Sequence, residues 1–370
     1  MYEYDDEDLK ASQAENDNVL DEAAKDEDSP PLAYNISSYG ADMDVDGLVK
    51  RLNRGDIFIP PFQRDYVWNL SDASRFVESL LLGLPVPGVF LAKDPESGKS
   101  LVIDGQQRLK TLQFFFDGDF NPRPDRKNRR IFKLTNVQPQ YEGKEYKDLD
   151  ERDRVRLNDS IIHATIVKQE SPVGDDTSVY HVFERLNTGG RKLMAQEIRT
   201  AIFHGPLMDL LRDLNQYPAW RSIFGTESNR LKDRELILRF FALHFGWESY
   251  SKPMGEFLNK FSKSQRFISA ERLAQCATLF KSTIDLISEA IGKTAFRPER
   301  SLNAAVFDAV MVSVARRIEA GGKPSKDAFK NAYESLLQNP DFKAAISDGT
   351  SDNANVERRF SIAVAAMSAL

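Results

Sequence analysis

Apolar and polar positions divide the 370-residue chain into three stretches. Residues 1 to about 34 carry no apolar periodicity. Between about 40 and 205, short apolar runs alternate with helical patterns. Val45–Arg54 has helical spacing and is stopped by Gly55. Ile57-Phe58-Ile59 is a short extended run that enters a loop at Pro60-Pro61. A helix is predicted over Ser71–Leu82, with Ser71 as N-cap and Phe76, Leu80 and Leu81 on its apolar face. Val89–Ala92 and Ser100–Ile103 flank the turn Asp94–Gly98 and predict a hairpin. Asp104-Gly105 closes its second strand, and Gln106–Phe116 has helical spacing with Leu109, Leu112, Gln113 and Phe116 inward.

Further strands are predicted at Arg130–Leu134 and Ile161–Lys168, around a polar helix near Asp148–Asp159. A helix over Val179–Leu186 runs into Asn187-Thr188-Gly189-Gly190, and another covers Ala195–Phe203. From Leu207 onward the pattern is almost wholly helical, as in Leu231–Phe245, Ala270–Ile291, Leu302–Ala320 and Val356–Met367. The fold class that follows is α+β. A mixed α/β domain over 35–205 precedes an all-helical domain over 206–370, with no Gly/Ser/Pro-rich spacer between them.

Charge changes the reading of the first stretch. The chain holds 50 basic and 56 acidic residues, a net charge of −6. Residues 1–30 alone contain twelve acids and two bases, a balance of −10. The other residues then hold 44 acids and 48 bases, a balance of +4. Residues 1–34 therefore read as a disordered acidic tail. The acidic total, which would exclude a nucleic-acid partner, belongs to that tail and not to the body.

Composition removes several function classes. A single cysteine, Cys276, excludes a disulfide framework and a cysteine-built zinc site, and fits a reducing compartment. The four histidines, His163, His181, His204 and His244, form no HExxH or HxH cluster. No apolar run is long enough for a membrane span, and the acidic N-terminus is unlike a secretory signal, so a cytoplasmic protein without a membrane partner is expected.

Three polar clusters interrupt the apolar pattern. They are Gln63-Arg64 with Tyr66 and Trp68, then Asp104-Gly105-Gln106-Gln107-Arg108, then Asn187-Thr188-Gly189-Gly190. The second sits between a buried strand and a helix start, where backbone N–H groups favour an anion. Arg108 supplies a planar fork for phosphate oxygens. Asp104 has the chemistry to hold Mg²⁺ or orient water, and Gln106 and Gln107 to position a water or bond a base or sugar. The competing reading is a capped strand–helix turn with Asp104 as N-cap. The glycines of the third cluster permit a close approach to a ligand, or simply end a helix.

Other candidates carry less. Gly98-Lys99-Ser100 and Gly292-Lys293-Thr294 resemble the end of a P-loop but lack its earlier glycine. Arg123, Arg126, Lys127, Arg129 and Arg130 form the densest basic run, a candidate DNA-backbone contact or an exposed loop. Phe296–Asn303 offers two arginines and an asparagine, either toward a ligand or as a loop and helix cap.

In this order, the clusters resemble the N-terminal domain of GmrSD-type modification-dependent restriction enzymes. The residues that carry the resemblance are Ile59–Trp68, Asp104–Arg108, Phe183–Gly190 and Glu197-Ile198-Arg199. The resemblance implies a ParB/sulfiredoxin-like fold and a domain that binds, and often hydrolyses, a nucleoside triphosphate with Mg²⁺ in bacterial anti-phage defence. Carried over, Asp104, Gln106, Gln107 and Arg108 form the catalytic set, with Asp104 as the Mg²⁺ ligand. Gln63, Arg64, Gly105, Asn187, Thr188, Gly189 and Gly190 line the nucleotide pocket. DNA is the implied partner, with a partner nuclease or a homo-oligomer as further expectations. The chain departs from these enzymes after residue 205, where His244 is the only histidine and no His-Asn-His centre exists. Cleavage then falls to a partner or to a ParB-like nicking activity of the nucleotide domain; a non-hydrolysing nucleotide switch is the alternative.

Overall fold

The computed structural model describes residues 19–21, 35–59, 66–94, 98–122, 129–171 and 194–370. These divide into two compact units, one within Pro31–Leu193 and one over Met194–Leu370 that also takes in Val19–Asp21. The division falls before Ala195–Ile202, whereas the sequence pattern places the change after it.

The first strand along the chain, β1 (Val19–Leu20), belongs to the helical unit. The α/β unit begins with β2 (Asn35–Asp44), followed by α1 (Val45–Arg54), β3 (Ile57–Phe58) and α2 (Leu70–Leu81). The hairpin β4 (Val89–Lys93) and β5 (Ser100–Asp104) comes next, then α3 (Gln106–Asp117), α4 (Glu151–Asn158) and β6 (Ile161–Ser171). The five strands form one mixed sheet in the order β2-β6-β4-β5-β3. β4 and β5 pair antiparallel, as the two apolar runs around one turn predict. β6 runs parallel to β4 and antiparallel to β2.

Alternation along the strands places Val89, Leu91, Val102, Ile162, Ala164 and Ile166 in one apolar cluster. Leu48, Val77, Leu80, Leu109, Leu112 and Phe115 bring the helices to the same cluster. Asp44 ends β2 and caps α1 by accepting from the Gly47 N–H at 2.6 Å. Asn69, not Ser71, caps α2, accepting from the Asp72 N–H at 2.9 Å, so the helix starts one residue earlier than predicted.

Two further expectations change. β2 has no counterpart in the pattern reading; it is an edge strand from which Ala41 and Met43 lean on the core. Arg130–Leu134 is not a strand: its one β-bridge joins Ile131 to Asp119. The helix expected over Val179–Leu186 lies outside the described residues.

The helical unit contains α5 (Ala195–Ile202), α6 (Pro206–Asn215), α7 (Pro218–Phe224), α8 (Lys232–Gly246), α9 (Met254–Ser264) and α10 (Ala270–Ala290). The short β7 (Leu302–Asn303) precedes α11 (Ala304–Gly321), α12 (Lys326–Gln338), α13 (Pro340–Ala345) and α14 (Asn353–Ser368). Its core is aromatic, with Trp220, Phe240, Phe241, Phe280, Phe296 and Phe307 all fully buried. No described helix is long and apolar enough to cross a membrane.

Of residues 1–34, read from sequence as a disordered acidic tail, the described part is Val19–Asp21. β1 pairs parallel with β7, Val19 opposite Leu302 and Leu20 opposite Asn303. Val19 is buried, and the Asp21 carboxylate bonds to Arg239.

Candidate functional site

The site is built at the junction of β5 and α3. Buried Val102 and Ile103 fix the end of the strand, and Asp104 is its last residue. The chain must then turn into a helix whose Leu109 and Leu112 are fully buried. Gly105 makes that turn with φ +97°, a conformation L side chains rarely adopt. A Cβ there would also lie 2.5 Å from Cγ1 of Val89, so the residue is required twice over.

Gly105 is the N-cap of α3 and makes no side-chain cap bond. This decides between the two readings of the turn. Asp104 is not a helix cap. Its Oδ2 instead accepts from Nη2 of Arg108 at 2.8 Å, one turn into the helix. Arg108 also donates through Nη1 to the Gly88 carbonyl just before β4. The Arg108 side chain is largely buried, while that of Asp104 is half-exposed. A helix start at a glycine N-cap and a guanidinium, both suited to phosphate oxygens, thus share one corner with a half-exposed carboxylate.

Gln106 is buried. Gln107 points back along the chain: its Oε1 accepts from the N–H groups of Val67 at 3.0 Å and Trp68 at 3.3 Å. Thr111 donates to the Gln107 carbonyl at 2.7 Å and meets the Tyr66 hydroxyl at 2.7 Å. One hydroxyl hydrogen serves one acceptor, so Tyr66 donates to Thr111. Burial pushes the Tyr66 phenol up to about 12. Its ring packs edge-on against Phe114 and Phe120, and Trp68 packs against Phe76. Tyr66 and Trp68 are therefore anchors that hold the segment after Arg64 against the start of α3.

The remaining predicted residues fall elsewhere. Gln63, Arg64, Asn187, Thr188, Gly189, Gly190, Arg123, Arg126 and Lys127 lie outside the described residues. Arg129 and Arg130 are described and sit at the far end of α3. Arg129 donates to the Asp117 carbonyl at 2.5 Å and pairs with Asp119 at 3.2 Å. Arg130 lies 4.7 Å above the Phe120 ring. Twelve residues of helix put them about 18 Å from Gly105, so these two serve the C-terminal end of α3 and not the Asp104 corner. In the helical unit, Asn303 caps α11 through the Val306 N–H at 3.1 Å, and Arg297 bonds the Lys293 carbonyl at 2.9 Å. Phe296–Asn303 is thus a loop and helix cap.

Sequence reasoning missed the Gly88 carbonyl, a backbone group with no side-chain signal. It also missed Thr111, whose signal is a lone polar residue on the buried face of an apolar helix.

Residues 45–204 match the model of the GmrSD restriction endonuclease N-terminal domain. This stretch belongs to that family. The GmrSD-type domain thus starts at α1, contains the Asp104–Arg108 corner, and ends within the first helix-rich residues of the second unit, just past α5. No curated protein matches the chain. In the GmrSD-type domain the Glu197-Ile198-Arg199 segment lies on α5, where Arg199 is buried and bonds Glu235 at 2.7 Å and Asn259 at 2.9 Å. Its role is to hold α5 against α8 and α9.

Proposed function

We propose that the chain binds and hydrolyses a nucleoside triphosphate at the Asp104–Arg108 corner and couples this to DNA in a restriction-type defence against phage. The observation that carries the reading is the start of α3 at the Gly105 N-cap with Arg108 and Asp104 paired across it. Helix-start amides and Arg108 bind the phosphates. Gln106 and Gln107 complete the reacting set. Gln63, Arg64, Asn187, Thr188, Gly189 and Gly190 supply the rest of the pocket, and DNA is the partner, as the family of the domain suggests.

Among the described residues no group of three or more His, Cys, Asp or Glu could hold a metal. Mg²⁺ does not need such a group, since one or two carboxylates can hold it together with substrate phosphates and water. Asp104 is the carboxylate, and the ion would offset phosphate charge when bound. Thermal stability with ATP, GTP, CTP and UTP in Mg²⁺, followed by phosphate release, tests the reading. Turnover is expected to vanish in Asp104→Ala and Arg108→Ala proteins that keep their helical circular dichroism. Full turnover in both overturns it.

A second reading is a nucleotide switch without turnover that controls self-association or a partner nuclease. It is favoured by Gln107, whose Oε1 is committed to the backbone of Val67 and Trp68. A ligand that moves the start of α3 then moves Val67 and Trp68. Tight nucleotide binding with negligible phosphate release, with and without DNA, distinguishes it. Conversion of supercoiled plasmid to open circles by protein and Mg²⁺ would instead indicate nicking by the same domain.

A further inference from the structure

The helical unit encloses a charged cluster that the nucleotide site does not use. Arg239 of α8 is nearly fully buried, and Asp308 of α11 and Arg359 of α14 are fully buried. Arg239 donates from Nε to both Asp308 oxygens at 3.2 Å and from Nη2 to Oδ2 at 2.5 Å. Its Nη1 donates to both oxygens of Asp21 at 2.9 Å. Arg359 lies 3.9 Å from Asp308 and donates through Nη1 to the Thr350 carbonyl. Its Nε and Nη2 have no hydrogen-bond partner among the described residues.

Charge balance shows what the cluster requires. Within the helical framework Asp308 is the carboxylate that bonds Arg239 and lies against Arg359, and Glu235, itself paired with Arg199, adds only a more distant negative charge. Asp21 supplies the second carboxylate, and its side chain is almost wholly covered. Without it, Arg239 loses the carboxylate bonded to its Nη1 while still buried, which is strongly unfavourable. Burial pushes Arg359 down to about 10, and the carboxylates of Asp308 and Asp21 oppose that shift.

The carboxylate follows directly on a strand contact. Among the described residues β1 and β7 pair through Val19 with Leu302 and Leu20 with Asn303. Val19 inserts and Leu20 stays half-exposed. Backbone pairing to an exposed edge, one apolar anchor and one carboxylate on a buried arginine are the elements of strand-type peptide recognition. We propose that this notch between α8, β7 and α11 is a peptide-docking site that reads an apolar-apolar-acidic strand. Its occupant is the chain's own Val19-Leu20-Asp21, held as an exchangeable ligand. Arg239 provides specificity for the acid, and the open edge of β7 provides register.

The test uses the full chain, folded with its own segment in place. A protease site is inserted after Ser29 and cut in the native protein, followed by gel filtration. Fragment 1–29 is expected to co-elute with the remainder. Excess synthetic peptide covering residues 15–26 is expected to displace it, and the same peptide with Asp21→Ala to need at least about 30-fold more, since truncating one partner of a buried charge pair is costly. Separation of the fragment immediately after cutting overturns the docking. Equal displacement by both peptides overturns the role of Arg239. Retention against any excess of peptide overturns exchange.

Discussion

Arg108 reaches back across Gly105 to hold the Asp104 carboxylate at 2.8 Å, joining the end of a strand to the first turn of the next helix. The same guanidinium bonds the Gly88 carbonyl. Arg108 therefore ties the mouth of the β4–β5 hairpin to α3, and any phosphate it binds is sensed by both. The arrangement needs a fork with at least two donating nitrogens in one plane, which arginine has and lysine lacks.

Arg108→Lys tests this directly. The substitution keeps the charge and removes the fork. Nucleotide affinity is expected to fall at least about tenfold, because a point charge does not replace bidentate geometry. The pair is partly exposed, so the fold should lose no more than about 1 kcal/mol. Isothermal titration with the nucleotide that raises the melting temperature most gives the first value, and urea unfolding the second. Unchanged affinity would remove Arg108 from the phosphate site.

Gly105→Ala is expected to destabilise the α/β unit by about 2–3 kcal/mol, from the strained φ and the overlap with Val89. Val89→Ala relieves the overlap but not the backbone strain. In the double variant the cost should therefore be less than the two single costs combined, as urea midpoints of the four proteins will show. Strict additivity would place the strain entirely in the backbone.

These residues also show how far the sequence is legible. The β4–β5 hairpin and α3 can be read because their apolar runs are dense and the turn between strand and helix carries glycine. β2 cannot, because an edge strand buries only alternate residues and Asn35–Asp44 is mostly polar. The opposite error arises at Arg130–Leu134. There Phe132 and Leu134 are buried in true alternation, but without a neighbouring strand the alternation makes no sheet. The Asp104–Arg108 pair is visible as residue types, yet only geometry separates it from a cap. The Arg239, Asp308 and Arg359 cluster leaves a fainter trace, single charges inside apolar runs such as Ile237-Leu238-Arg239-Phe240-Phe241. Such charges must be paired, but nothing in the spacing says with what.

Tyr66 gives a pH signature. Its folded-state pKa is raised to about 12 by burial, above the ordinary value of 10. The unfolded chain therefore loses this proton first. The associated stability is fully present below pH 10 and is lost as pH rises toward 12. Tyr66→Phe should lack that part of the decline and cost about 0.5–1.5 kcal/mol at neutral pH for the lost bond to Thr111. Unfolding of both proteins between pH 8 and 11.5 checks it. Parallel curves would show that the phenol titrates alike in both states.

Asp308→Ala leaves Asp21 as the carboxylate bonded to Arg239 and removes the one that lies against Arg359. The expected loss is about 3–5 kcal/mol, the usual cost of stranding a buried charge. Thermal unfolding of the full chain should show the helical unit melting first. A change below about 1 kcal/mol would mean that water or another carboxylate reaches the arginines.

The acidic N-terminal stretch gives the last test, and the seat of Asp21 decides its design. Residues 1–30 carry a charge of −10 beside a body of +4. If that charge competes with DNA for the body, removing it strengthens DNA binding at low salt. Deleting the whole stretch would confuse two effects, because it also takes Val19 and Asp21 from the helical unit. The clean variant keeps Val19-Leu20-Asp21 and converts Asp5, Asp6, Glu7, Asp8 and Glu15 to their amides. Interactions between exposed charges are largely screened beyond a Debye length of about 10 Å at 0.1 M salt. The gain should therefore be several-fold at 20 mM salt and disappear by 200 mM in a fluorescence anisotropy titration with duplex DNA. Equal affinity at 20 mM would mean that the acids do not compete with DNA, and the stretch would matter to the body only through Val19-Leu20-Asp21.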